Sequence, residues 1–181
     1  MSLASELLLA GLGIILLVIV VVALSARKQS YTDEQFVLKY RGNRLKHTQI
    51  GGSLGAIPIL ETVAVLDLQP QNIKFQKHII IDNQQNTQEV SGNLQFTMKN
   101  HPETFLDMID SGPASDLTYL ITAVMKQKIF KIISTDLWGK TRIDLMKNET
   151  RILSRLKDNI LYNLELTNDD IDEFNLQFLL N

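Results

Sequence analysis

The sequence has no cysteine and only three histidines, and both scarcities limit its chemistry. Without cysteine the chain forms no disulfide framework and offers no thiolate nucleophile, which suits a reducing compartment. His47, His78 and His101 are far apart, and none has the spacing of a metal site. The chain carries no zinc-protease signature and no dinucleotide-binding fingerprint, and we expect no nucleophile elbow. The sequence therefore predicts a protein that is not an enzyme and uses no cofactor or metal.

An excess of basic charge is also missing, since 18 Lys and Arg residues face 20 Asp and Glu residues. A formal net charge of −2 gives no reason to expect nucleic acid as a partner. The charge is nevertheless uneven along the chain. Nine basic and three acidic residues lie in 126–157, whereas six acidic residues and no basic one lie in 158–181. We expect these two regions to attract each other, within one molecule or between neighbouring copies.

Charged and polar side chains are absent from one long run, residues 7–24. A helix of about 20 uncharged residues is about 30 Å long, the thickness of a bilayer core. We therefore predict a transmembrane anchor over residues 1–28 and a single domain over residues 29–181. A cleaved signal peptide is the alternative, although the run is long and no basic residue precedes it. The predicted anchor positions are Leu7, Leu12, Ile15, Leu17, Val20 and Leu24.

Basic residues follow this run and none precedes it. A basic flank tends to stay on the cytoplasmic side of a membrane. The sequence thus predicts a single-pass membrane protein in contact with membrane lipid, with its domain on the cytoplasmic side or in an organelle matrix. The basic residues of the flank are Arg27, Lys28, Lys39, Arg41, Arg44 and Lys46.

The periodicity of residues 29–181 changes from strand-like to helix-like and back, which predicts an α+β domain. We expect a small, mainly antiparallel sheet packed with helices, to which the last strand returns. The predicted strands are 34–42, 45–50, 63–67, 73–75, 78–82, 90–98 and 174–180, with a hairpin turn at Gly42 and Asn43. The predicted helices are 102–109, 115–133 and 141–164, the last opening with a capping box of Thr141 and Asp144.

Two segments have more than one interpretation. The uncharged residues 51–60 form either a turn or a loop that dips into the lipid surface through Leu54, Ile57, Ile59 and Leu60. The cations Lys147, Arg151 and Arg155 are four residues apart on a predicted helix. They form either a solvated stripe or a contact surface for an acidic partner.

Three stretches, together with the apolar N-terminal helix, resemble the stomatin, prohibitin, flotillin and HflK-C family. The first two are FVLKYRG at 36–42 and, after the glycine pair at 51–52, IPILETVAVLDL at 57–68. The third, VSGNLQFTMKNHP at 90–102, is similar to the family's strand that leads into an Asp/Asn-Pro helix. The resemblance covers about residues 5–181 and is nearest to flotillin-like members.

This resemblance implies a membrane scaffold whose copies assemble into large rings or cages, often around a membrane protease or another complex. Family members usually continue into a long coiled coil, which this sequence does not contain. The glycine that commonly follows the long helix is replaced by Leu164, Glu165 and Leu166. These departures argue against a closed cage, whereas ring contacts made by the domain itself stay compatible with the sequence.

Three functions follow as hypotheses. The first is a scaffold in which the basic region of one copy meets the acidic tail of the next. The second is an accessory subunit of a larger membrane machine, such as a flagellar stator-associated protein of the FliL type or a subunit of an energy-transducing complex. The third, a membrane-anchored enzyme, is disfavoured because no catalytic constellation is found. The expected oligomer contacts are Lys147, Arg151, Arg155, Asp169, Asp170, Asp172 and Glu173.

Overall fold

The computed structural model of the chain describes residues 3–24, 27–57, 60–108 and 116–179, with the side chains of 3–10, 22–24 and 27 left out. These residues contain five α-helices, one 3₁₀ helix and six β-strands. The helices are α1 (Leu3–Leu24), α2 (Pro102–Leu106), α3 (Leu117–Leu137), α4 (Arg142–Lys147), α5 (Glu149–Asn163) and the 3₁₀ helix Asn168–Asp170. The strands are β1 (Arg27–Arg41), β2 (Arg44–Ala56), β3 (Thr62–Asp67), β4 (Gln71–Ile80), β5 (Thr87–Phe96) and β6 (Ile171–Leu179).

The chain divides into two compact units. Unit 1 comprises Met1–Leu66 and Ser111–Ser115, and unit 2 comprises Asp67–Asp110 and Asp116–Asn181. Each unit has its own three-stranded sheet, so the described residues form two sheets where the sequence predicts one. The α+β class is confirmed.

Unit 1 is built on a long antiparallel hairpin of β1 and β2, with β3 on the other side of β1. The hairpin turns at Gly42, where φ is +58°, and this confirms the predicted turn. Phe36, Val37 and Leu38 of β1 are all buried. The apolar FVL run of the sequence thus supplies the interior of this sheet.

The hairpin is interrupted by an irregularity between Tyr31 and Phe36, opposite the glycine pair of β2. Gly51 has a φ of +58°, and a Cβ there would stand 2.5 Å from Oδ1 of Asp33. Only glycine fits that conformation and that space without strain. The glycine pair therefore lies within a strand, and the turn expected over 51–60 is confined to the residues after Ala56.

Unit 2 is an antiparallel sheet in the order β4-β5-β6, covered by helices. Helix α3 packs on β4 and on α5, and α5 packs on β6. The predicted return of the last strand to the sheet is thereby confirmed. Every fourth residue of α3 is buried, a spacing that keeps one face of the helix on the core. These residues are Leu117, Ile121, Met125, Ile129, Ile133 and Leu137.

A glycine in the middle strand of this sheet makes room for an aromatic ring. Gly92 of β5 pairs with Phe75 of β4. A Cβ at Gly92 would overlap the Phe75 ring, with Cε2 of that ring at 2.9 Å. The Phe75 ring also contacts the ring of Phe130 on α3 edge to face, with the two ring centres 5.7 Å apart. Phe75 thus joins the sheet to α3 across a residue without a side chain.

The long helix predicted over 141–164 is wrong in one respect, because the structure divides it into α4 and α5. The two helices separate at Asn148, whose φ of −121° is not helical. The side-chain Nδ2 of Asn148 donates to the carbonyl O of Asp144 at 3.3 Å, which competes with continuation of the helix. The predicted capping box is confirmed, since Thr141 and Asp144 bond each other reciprocally.

The predicted transmembrane anchor requires a separate correction. A helix needs about 20 consecutive apolar residues to cross a bilayer core of about 30 Å. Within the described residues, no helix is both long enough and apolar enough to do so. A transmembrane helix as part of the fold class is therefore wrong.

Candidate assembly surface

A cationic groove lies in unit 2, along the first half of α5. Its volume is about 850 Å³, and three of its lining residues are cations, Lys140, Arg151 and Arg155. Two acids, Asp144 and Asp158, also line it. The side-chain hydrogen bond from Thr141 lowers the pKa of Asp144 below its usual 3.8, so this carboxylate is ionised at neutral pH. The groove therefore carries three cations against two carboxylates, and two of its cations are arginines.

Arg155 has an acidic neighbour on α3. Its Nη2 stands 3.9 Å from Oδ2 of Asp136, and 60% of the Arg155 side chain remains exposed. The same Asp136 oxygen accepts a hydrogen bond of 3.1 Å from Nδ2 of Asn159. A pair at the limit of ion-pair distance and largely in water contributes little, so Arg155 remains available to a second anion.

The break at Asn148 changes the predicted stripe of cations. Lys147 is the last residue of α4, whereas Arg151 and Arg155 belong to α5. All three side chains are exposed. The structure thus brings Arg151 and Arg155 together in the groove and places Lys147 beside it on another helix.

The acidic segment is defined here as Asp169, Asp172 and Glu173, whose side chains are all exposed. It begins in the 3₁₀ helix and continues into β6. Nδ2 of Asn175 donates a hydrogen bond to Oε1 of Glu173, which leaves the charge of that carboxylate in place. These three acids can all meet a basic partner.

The prediction that Asp170 is an oligomer contact is wrong, because this residue is only 2% exposed. Burial by itself would raise the pKa of Asp170, but hydrogen bonds from Thr167 and Asn100 and the charge of His101 lower it below 3.8. The Thr167 hydroxyl donates to Oδ2 at 2.6 Å, and Nδ2 of Asn100 donates to Oδ1 at 3.2 Å. Asp170 therefore holds the 3₁₀ helix and does not contact a partner.

The contact of α5 with β6 shows where the two charged surfaces lie within unit 2. Nζ of Lys157 donates a hydrogen bond of 2.6 Å to the carbonyl O of Phe174. Arg151 lies six residues before Lys157, about 9 Å towards the start of the helix. The acidic segment instead comes after the last residue of α5, and its final residue, Glu173, directly precedes Phe174 in the chain.

The direction of the side chains separates the surfaces further. Arg155 is two residues before Lys157, which is about 200° around the helix. Because Lys157 points to β6, Arg155 points away from it and towards α3. Within one copy Arg155 thus lies on a side of α5 other than the side held against β6, on which the acidic segment lies.

The anchor positions predicted in unit 1 are partly described. Leu12, Ile15, Leu17 and Val20 are all exposed on α1, between 46% and 66% of each residue. The side chains of Leu7 and Leu24 lie outside the described residues. Residues 11–21 are apolar without exception, so this stretch of α1 has no polar face to turn to water.

The loop predicted to touch lipid is tied to the hairpin by an ion pair. Nζ of Lys39 lies 2.8 Å from Oε2 of Glu61, which also accepts a hydrogen bond of 2.9 Å from the Ile57 amide. The hydrogen bond from Lys39 lowers the pKa of Glu61 below 4.5, so the Glu61 carboxylate is ionised at neutral pH. Leu60 is 46% exposed. The loop is thus closed at its base with Leu60 outside.

The remaining residues of that prediction fall elsewhere. Leu54 lies within β2 and is 9% exposed, so its side chain faces the protein. The prediction that Leu54 contacts lipid is therefore wrong. Ile57 is intermediate in exposure. Ile59 lies outside the described residues.

One catalytic pattern was missed in the sequence. Residues 51–55 spell G-x-S-x-G, the pattern of a nucleophile elbow. An elbow places its serine on a sharp turn from a strand into a helix, whereas Ser53 lies within β2, paired with Ser30 of β1. The match is therefore a strand and not an elbow. Among the described residues, no group of three or more His, Asp or Glu side chains is placed to hold a metal ion.

No protein-family model matches the chain, and a search of curated proteins finds no match either. The resemblance to the stomatin, prohibitin, flotillin and HflK-C family stays a prediction.

Proposed function

We propose that this protein is a membrane-associated scaffold whose copies assemble head to tail. The cationic groove of one copy receives the acidic segment of the next. The observation that carries this proposal is that Arg155 points about 200° around α5 from Lys157, the residue that is held against β6 beside the acidic segment. Opposite charges on different sides of one copy can attract a second copy.

The two surfaces differ, so the contact between copies is heterologous. A heterologous contact gives a closed ring if the rotation between copies closes, and an open filament if it does not. Either product is a scaffold, because it repeats one domain at a fixed spacing. Since the contact joins exposed charges, added salt should weaken it.

Association with a membrane is supported by α1. Its described side chains are apolar all round and exposed, and a helix of that kind needs an apolar environment. Such a helix left in water is a source of non-specific aggregation. We propose that α1 lies against lipid and that it holds the assembling units at the membrane.

Charge reversal tests the assembly. Changing Lys147, Arg151 and Arg155 to Glu should lower the association constant about 100-fold, since each exposed pair contributes about 1 kcal/mol at most and reversal adds repulsion. Particle mass would be measured by mass photometry after gentle detergent extraction of the full chain. The matched control reverses three exposed cations elsewhere, Arg44, Lys46 and Lys99, and changes the net charge equally.

A mixing experiment separates this contact from general effects of charge. A second variant changes Asp169, Asp172 and Glu173 to Lys, and by itself it should also fail to assemble. Mixed with the first variant, it should restore large particles, because each altered groove then meets an oppositely charged segment. Unchanged assembly of the first variant would refute the proposal. A single copy found among other membrane subunits would favour an accessory subunit instead.

A further inference from the structure

Large apolar side chains are exposed at one corner of unit 2, where α3 ends and α4 begins. Trp138 is 53% exposed, Ile143 62% and Met146 56%. The amide of Gly139, the residue after Trp138, donates a hydrogen bond of 2.7 Å to the carbonyl O of Ile81, which ties this corner to the chain just after β4. We call Trp138, Ile143 and Met146 the apolar corner.

Helical geometry shows that the apolar corner is separate from the cationic groove. Leu145 is the buried residue of α4 and points inward. Ile143 and Met146 are three residues apart and share a face, whereas Asp144 lies on the opposite flank and lines the groove. An occupant of the groove therefore leaves the apolar corner uncovered.

Cations surround the apolar corner. Arg142 and Lys147 are both exposed on α4, and Lys140 precedes that helix. The stretch from Lys140 to Lys147 contains one acid, Asp144, which keeps its negative charge while it accepts a hydrogen bond from Thr141. Three cations against one carboxylate leave the net charge of this stretch positive.

We propose that the apolar corner docks on the surface of a bilayer that contains anionic lipid. Tryptophan beside aliphatic side chains is typical of the membrane interface, and surrounding Lys and Arg bind anionic headgroups. Three exposed apolar side chains among several cations suit an anionic lipid surface better than an apolar partner helix. This contact rests on the membrane association proposed for α1 and is independent of the head-to-tail contact.

Trp138 is the one tryptophan in the sequence, so it reports on this contact directly. The full chain would be mixed with vesicles of phosphatidylcholine alone and with vesicles that also contain phosphatidylserine. With phosphatidylserine, the emission of Trp138 should shift to shorter wavelength and be quenched by bromine on the upper acyl chain. With phosphatidylcholine alone, neither change should occur.

Two variants identify the groups responsible. Changing Ile143 and Met146 to Ser should abolish the quenching while the protein still floats with the vesicles through α1. Changing Arg142 to Glu, which leaves the lining of the groove unchanged, should lower the apparent affinity for anionic vesicles about fivefold or more. The control changes Arg151 and Arg155 to Glu, which should reduce particle mass but leave the quenching unchanged.

The outcomes distinguish this inference from the proposed function. If the protein floats with vesicles but Trp138 does not respond, the docking of the corner is overturned and the scaffold is not. If the protein does not float at all, the docking of the corner and the membrane association of α1 are both overturned, whereas particle mass decides the head-to-tail contact. If Trp138 shifts with protein concentration and without lipid, the corner contacts another copy and the lipid proposal is overturned.

Discussion

Glycine has a different purpose in each of the two sheets. In the hairpin of unit 1, Gly51 and Gly52 have φ values of +58° and +80°, in the left-handed region. In the sheet of unit 2, Gly92 has no such φ and instead leaves space for the ring of Phe75. The first sheet needs the backbone freedom of glycine, and the second needs its missing side chain. A third position, Glu165, has a left-handed φ of 57° and is not glycine.

The largest effect should come from filling the space at Gly92. We expect Gly92→Val to destabilise the protein by about 3 kcal/mol, because its Cβ would overlap the Phe75 ring and stand 2.8 Å from the Asn175 carbonyl O. Urea unfolding would measure the loss. Gly55→Ala is the matched control in β2, since the nearest atom to its Cβ is 3.9 Å away. A loss at Gly92 no larger than at Gly55 would contradict the space argument.

A smaller loss should follow from changing the conformation at Gly51. We expect Gly51→Ala to cost about 1–2 kcal/mol, the strain of an alanine in the left-handed region. Adding Asp33→Ala removes the carboxylate that stands 2.5 Å from the new Cβ, but it leaves the strain. Full recovery of the free energy of unfolding in the double variant would show that space, and not conformation, matters at Gly51.

The smallest effect should have the opposite sign. Glu165 follows the end of α5, where the Leu166 amide donates to the Leu161 carbonyl at 3.0 Å in the manner of a glycine-ended helix. We expect Glu165→Gly to stabilise the protein by about 0.5 kcal/mol, since relief of strain exceeds the added freedom of the unfolded chain. Glu165→Ala removes the same charge and keeps the strain. Equal stability of the two variants would exclude the conformational explanation.

Strong periodicity made much of the fold predictable. The strands around 63–67, 73–75 and 90–98 and the helix that begins near 115 were all expected, because alternation or four-residue spacing of apolar residues specifies them locally. The break at Asn148 was not expected. Leu145 and Ile152 are both buried and seven residues apart, a spacing that an unbroken helix also gives, so the pattern does not reveal the break.

The candidate site was predictable only in its charges. The sequence showed a basic region and an acidic tail, but Asp170 was counted among the contacts although Thr167 and Asn100 bury it. Thr167 with Asp170 spells a capping box, a signal that was available. The apolar corner was missed because Met146 fits the apolar face of the expected long helix. Met146 lies about 100° around α4 from Leu145, the buried residue of that helix, and is 56% exposed.

Helix α4 has only six residues, and Leu145 is its buried side chain. A helix of that length is marginal without tertiary support, so its amides depend on one apolar contact and on the capping box of Thr141. Such an element opens locally at much lower free energy than the core helices on which it rests. Amide hydrogen exchange in α4 should therefore proceed through openings that leave α3 and α5 intact. Two residues of the apolar corner, Ile143 and Met146, therefore belong to a helix that can unfold locally while α3 and α5 stay folded.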